Sequence, residues 1–257
     1  MPFTDPIDRS FWGFVSSLPA YYPSLNSFLL VKFRASTCYT SDSMKLYLSS
    51  YRVGNHAEEL KELVGKKHAK VAVSINALDW STDLPRKQSF LERELEDIRS
   101  LGFEPEELDL RKFFGGDDLI EHMKQYDMVW FTGGNVFILA KAFRQSGFDA
   151  VIEELVKADK LVYAGYSAAF VCLASSLHGV ELVDDKDAEA EGYEPGEIWD
   201  GVGLIDFYPI VHFRSGHPES DDIEKEYQYV VDHKIPHKTF RDGDAYLIHG
   251  DKQRSLS

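Results

Sequence analysis

The chain reads as an α/β fold: a doubly wound, mostly parallel sheet with helices on both faces and a C-terminal β-hairpin. Three observations predict it. From Met44 onward, short β-branched runs alternate with stretches of helical period. Two of the runs end in small-residue turns, at Gly133-Gly134 and at Gly165, from which helices start. Near the C-terminus, Asp242-Gly243 lies between two extended runs, a hairpin signal.

Residues 1–43 stand apart. They hold four of the ten prolines, eight serines and nine aromatics, with no sustained period of two or 3.6. Three acids (Asp5, Asp8, Asp42) balance three bases (Arg9, Lys32, Arg34), so the whole net charge lies downstream. We expect 1–43 to be an N-terminal extension and 44–257 to be the domain.

Within that domain, Met44–Ser49 predicts a buried first strand and Ala69–Ile75 a second. Ser89–Leu101 carries Phe90, Leu91, Leu95, Ile98 and Leu101, the stripe of a helix that Gly102 ends. Glu107–Leu110 predicts a short strand, 117–125 a helix and Asp127–Phe131 a strand. Helices follow over Asn135–Gln145 and 149–158, then a strand over Leu161–Ala164. Residues 178–201 are acidic and predict a long loop. Pro209–Phe213 resumes as a strand, and Ile223, Tyr227, Val230 and Val231 mark a helix over Asp221–Val231. Lys238–Arg241 and Ala245–His249 complete the expected hairpin.

Composition narrows the function. The chain has 257 residues, 44% hydrophobic and 28% charged, enough for a real core. Its net charge of −15 disfavours nucleic acid and anionic membranes as partners. Two cysteines, Cys38 and Cys172, make no disulfide framework or zinc pattern, which suits a cytoplasmic protein. No apolar run approaches a membrane span, and no signal peptide is readable. His212 and His217, or His233 and His237, lack the carboxylate company of a metal motif, so no metal is expected.

The chemistry centres on Gly165-Tyr166-Ser167-Ala168-Ala169. A strand, a small-residue turn and a helix start give the layout of a nucleophile elbow, which presents a serine hydroxyl above the sheet edge. The helix N-terminus offers free N–H groups to a developing oxyanion. Gly133-Gly134-Asn135 follows another strand, where paired glycines let backbone N–H groups approach a ligand. Gly134 and Ala168 could then form a two-donor hole, although a plain βα turn capped by Asn135 fits the same residues. His212 ends a strand and could serve Ser167 as base, since a hydroxyl nucleophile is feeble without one. Asp184 or Asp185, in the loop between, could orient its ring. Cys172 lies inside the helix after the serine and reads as a small buried hydrophobe.

Met44–Asn55, Phe131–Phe137, Tyr163–Ala174 and Gly203–Phe213, taken in this order, resemble the peptidase E family, which includes aspartyl dipeptidases and is related to cyanophycinases. The resemblance spans about 44–257. It implies a class I glutamine amidotransferase-like fold, nucleophile Ser167, base His212, and oxyanion donors at Gly134 and Ala168. It implies a third, acidic member between serine and histidine, for which Asp185 is chosen over Asp184. No cofactor is implied. The substrate would be a short peptide or small amide, flanked by Asn135, Tyr166, Arg214 and His217, and a homodimer is compatible with it. Ala169 departs from the usual G-x-S-x-G and bears on activity, not on the fold. In aspartyl dipeptidases an arginine past the histidine resembles the carboxylate-binding cation. Here Arg214 and His217 are the nearby cations, and acidic Glu219–Asp222 follows, so strict aspartyl selectivity is not expected. Two rival readings are a catalytically weak binding or regulatory relative, and a glutaminase, which would need cysteine at the elbow.

Overall fold

The computed structural model describes residues 44–116, 118–157 and 161–257. The extension expected at 1–43 lies outside the described residues. Nine strands form within them: β1 (Lys45–Ser49), β2 (Lys70–Ser74), β3 (Glu104–Glu107), β4 (Met128–Phe131), β5 (Val162–Tyr166), β6 (Tyr208–Ile210), β7 (His237–Thr239), β8 (Ala245–His249) and β9 (Lys252–Leu256). Seven of them make one sheet in the order β3-β2-β4-β5-β1-β8-β9. The five from β3 to β1 run parallel, while β8 is antiparallel to β1 and β9 to β8. The helices are α1 (Ala57–Val64), α2 (Leu84–Ser100), α3 (Leu119–Met123), α4 (Val136–Ser146), α5 (Phe148–Lys157), α6 (Ala168–Val171) and α7 (Ser220–Asp232).

Strand alternation sorts the core into two layers. Tyr47, Val71, Val73, Trp130 and Ala164 pack with Leu60 and Leu63 of α1 and Leu91 and Ile98 of α2. Leu46, Leu48, Val129, Phe131 and Tyr163 point the other way, onto Phe137 and Phe143 of α4, Phe148 and Ile152 of α5 and Phe170 of α6. Both faces are covered, as the near-continuous apolar strands require. Among the described residues, no helix is long and apolar enough to cross a membrane.

The structure moves several boundaries. α2 begins five residues before the expected start at Ser89, where Asp83 accepts from Arg86 N at 3.0 Å and Pro85 occupies the first turn. β3 lies at Glu104–Glu107, three residues before the expected strand; it is an edge strand, where Pro105 and the charges are tolerated. Leu108 and Leu110, which suggested the later position, are buried just past its end. The C-terminal hairpin is β8–β9, turning at Gly250, not the pair flanking Asp242-Gly243. β7 pairs instead with β6, in parallel, in a separate two-stranded sheet. The strand expected at Pro209–Phe213 ends at Ile210, so His212 stands beyond it. Because β1, β2, β4 and β5 are parallel, Ser49, Ser74, Phe131 and Tyr166 emerge at one edge of the sheet.

Candidate active site

Ser167 follows the last residue of β5 and has φ 52° and ψ −113°. A side chain there is disfavoured by about 1–3 kcal/mol and persists only where its surroundings fix it. They do: Ser167 N–H donates to Ser49 O at 3.2 Å, and Ser167 O accepts from Phe170 N at 2.9 Å and Val171 N at 3.0 Å. Gly165 makes room for the turn. A Cβ at that position would lie 2.5 Å from Phe131 O and 2.7 Å from the Ala169 methyl. Ala169 is fully buried and its methyl occupies the space that Gly165 leaves, so the departure from G-x-S-x-G is accommodated.

The glycine pair comes up beside the serine. A Cβ on Gly133 would stand 3.0 Å from Ser167 Cβ and 3.3 Å from its Oγ. Gly134 has φ 139°, and a Cβ there would meet Ala77 O at 2.6 Å. Among the hydrogen bonds of the described residues, neither Gly134 N–H nor Ala168 N–H is a donor. Both residues line one cavity with Ser167, where two such N–H groups can receive an oxyanion. Asn135 caps α4 in the ordinary way: its Oδ1 accepts from Ile138 N at 2.9 Å, and its Nδ2 donates to Asp185 O at 2.8 Å. It lines the cavity with both polar ends engaged.

His212 is 4% exposed, with φ 55°. Its Nε2 is 3.1 Å from Ser167 Oγ, across 45 residues of sequence. Its Nδ1 is 2.6 Å from Asp242 Oδ1. Thus Asp242, not Asp184 or Asp185, occupies the orienting position. Asp184 Oδ2 accepts from Val136 N at 2.7 Å, at the start of α4, and Asp185 is exposed. With Nδ1–H donating to Asp242, Nε2 is left to accept from the serine hydroxyl. Burial pushes His212 below the usual imidazole range; Asp242 opposes the shift and His217 adds to it. Burial thus favours the neutral ring, the state a base requires. Buried Ser50 locks the arrangement. His212 N–H donates to Ser50 Oγ at 2.7 Å, and that hydroxyl lies 3.4 Å from Asp242 Oδ1. Asp242 N–H in turn donates to Ser215 Oγ at 2.8 Å.

The cavity around Ser167 has a volume of about 460 Å³, within the range that takes a small ligand. His217 reaches it and stacks on His212, ring centroids 4.0 Å apart. Tyr51 sets its edge against both imidazoles and against Tyr166. Tyr166 lines the cavity while its hydroxyl donates to buried Glu94 at 3.0 Å. Arg214 is not a cavity residue: it lies over the Phe213 ring and pairs with Glu224 at 3.0 Å, on the surface. Its assignment to the substrate side is thereby corrected. The cause is backbone: φ turns positive at His212 and again at Arg214, so strand alternation does not carry past Ile210. The residue that sequence reasoning passed over is Asp242. Its Asp-Gly step is equally a turn signal, and nothing local separates the two uses.

Comparison with known proteins fits this geometry. An uncharacterized peptidase of Listeria monocytogenes is 29% identical over 120 residues, 46% of this chain and 55% of the relative. One of Pasteurella multocida is 24% identical over 96 residues, 37% of this chain and 44% of the relative. The alignments thus span about half the length of these curated relatives. A solved Listeria monocytogenes structure bearing the peptidase E name superposes with a TM-score of 0.66 at 22% identity, covering 84% of this chain and all of that one. A peptidase from an acI-B1 actinobacterium gives a TM-score of 0.62 at 15% identity, covering 85% and 89%. Both show the same fold. The model of peptidase family S51 matches residues 52–256, four-fifths of the chain, and so the protein belongs to that family.

Proposed function

We propose that this protein is a serine-type peptidase that cleaves short peptides or small amides through Ser167, His212 and Asp242. The observation that carries the reading is the continuous relay, Ser167 Oγ to His212 Nε2 at 3.1 Å and His212 Nδ1 to Asp242 at 2.6 Å. Ser167 Oγ attacks the carbonyl carbon as its proton passes to His212 Nε2, and the carbonyl electrons move onto oxygen. Gly134 N–H and Ala168 N–H stabilise that oxygen. His212 then gives its proton to the leaving nitrogen as the C–N bond breaks. Water attacks the acyl-serine, its proton passing to His212. When the ester bond breaks, the proton returns to Ser167 and the acid leaves. Asp242 accepts from His212 Nδ1–H throughout and holds the ring.

The recessed cavity favours short substrates over folded proteins, and Arg214 on the surface argues against strict aspartyl selectivity. The test is labelling by a fluorophosphonate probe combined with a dipeptide panel. The wild-type protein should label and hydrolyse; Ser167→Ala should do neither while retaining its circular dichroism. A folded wild type that neither labels nor hydrolyses any member of the panel favours instead a binding relative with the same fold.

A further inference from the structure

The cavity beside Ser167 carries a charge pattern that the relay does not use. Its inner walls are apolar, built from Val171, Val180, Val183 and Ile223. Asp184 and Glu226 also line it, with Glu219 and Asp185. Against these four carboxyl groups the lining offers one fixed cation, Arg93, whose guanidinium is already paired with Glu94 at 3.2 Å. Glu226 is 5% exposed. Its Oε1 accepts from Tyr208 OH at 2.6 Å; its Oε2 has no partner among the described residues. Glu226 lines the cavity, where a donor from a ligand can pair with that oxygen.

We infer that this cavity is the subsite for a cationic side chain, of lysine or arginine type, on the substrate residue that Ser167 acylates. The inference rests on the reading of Ser167 as the nucleophile. Apolar walls take the methylene stem of such a side chain, and Glu226 with Asp184 takes its charged end. Burial raises Glu226 to about 8 and Asp184 to about 7, and Asp184 adds to the shift of Glu226. An entering ammonium or guanidinium opposes the shift by favouring the charged carboxylates. An acidic side chain would meet no unpaired fixed cation in the lining, and the net charge of −15 disfavours it at longer range.

The test uses the full chain and aminoacyl-coumarin amides of Lys, Arg, norleucine and Asp, each with a free and an acetylated amine. The expected kcat/KM for Lys and Arg exceeds that for norleucine at least 100-fold, with or without acetylation. In Glu226→Gln, which keeps an acceptor for Tyr208, the Lys-to-norleucine ratio should fall at least tenfold. A loss of fold alone would lower both rates and leave the ratio. Equal rates for Lys and norleucine, a preference for Asp, or an unchanged ratio in Glu226→Gln overturns the inference. So does a preference for the free amine that is the same for Lys and norleucine, since that places the carboxyls at the substrate's amino terminus. Calorimetry on Ser167→Ala keeps the subsite separate from the chemistry. N-acetyl-lysinamide should bind at least tenfold more tightly than N-acetyl-norleucinamide even if no amide is cleaved, and equal binding refutes the subsite.

Discussion

Replacing Asp242 by asparagine tests the acid of the relay, because sequence and structure name different residues for it. The carboxylate is 2.6 Å from His212 Nδ1. An amide there can turn its NH2 toward the ring, which moves the ring proton to Nε2 and removes the acceptor for Ser167. It also removes the charge that stabilises the imidazolium. A unit pair at roughly 4 Å in an effective dielectric of about 20 is worth about 4 kcal/mol. Together these predict a loss of about 10³–10⁴ in kcat/KM, or about 4–5.5 kcal/mol. Asp242 is 31% exposed in its side chain, so thermal unfolding should change little. The assay is the fluorophosphonate labelling rate alongside coumarin-amide hydrolysis, with Asp184→Asn and Asp185→Asn measured in parallel. Those two should label within about threefold of wild type, because neither carboxyl touches His212. A slow Asp185→Asn or Asp184→Asn beside a fast Asp242→Asn would refute the reasoning.

Two further outcomes follow from the elbow and the stacked rings. Burial and His217 both hold His212 below its ordinary value of about 6.5, so the acid limb of kcat/KM should lie below that pH. His217→Gln should move the limb upward, toward the ordinary value; a downward move or none, in a pH profile, contradicts the electrostatic role. Gly165→Ala puts a methyl 2.5 Å from Phe131 O and 2.7 Å from Ala169 Cβ, so urea unfolding should report a loss of about 1–3 kcal/mol or more. Unchanged stability would show that the turn can relax without cost.

Much of the site was legible because local structure and chemistry coincide at the same residues. Gly165 and Ser167 mark a strand that ends abruptly before a helix, and the close approach of Phe131 O explains why only glycine fits. His212 could be paired with Ser167 because a hydroxyl nucleophile needs a base, although β6 before it belongs to the separate two-stranded sheet. Asp242 was not legible, since a loop acid 30 residues past the histidine leaves no period and its Asp-Gly step also signals a turn. Asp184 was the near miss: it reaches the cavity, but its oxygen caps the first turn of α4. α1 and β9 escaped for a different reason. β9 buries Leu256 alone among its five residues, and α1 buries only Leu60 and Leu63, too few to print a period.

The relay residues come from three separate places, and β1 is what brings them into register. It lies between β5 and β8 in the sheet, and three consecutive residues at its end each touch the site. Ser49 O takes the N–H of Ser167, Ser50 Oγ takes the N–H of His212, and Tyr51 sets its edge against His212. Ser50 is the sensitive one, because it is fully buried and links the base to the acid. Ser50→Ala leaves His212 N–H without its acceptor, a cost of about 1–3 kcal/mol in stability. It also frees a backbone held at φ 55°, so the ring should lose its aim at Ser167. Misalignment on that scale lowers kcat about 10–100-fold. KM should hold, because Ser50 does not line the cavity. A variant that unfolds more easily yet keeps wild-type kcat would make Ser50 a packing residue and leave the aim of His212 to Asp242 and Tyr51 alone.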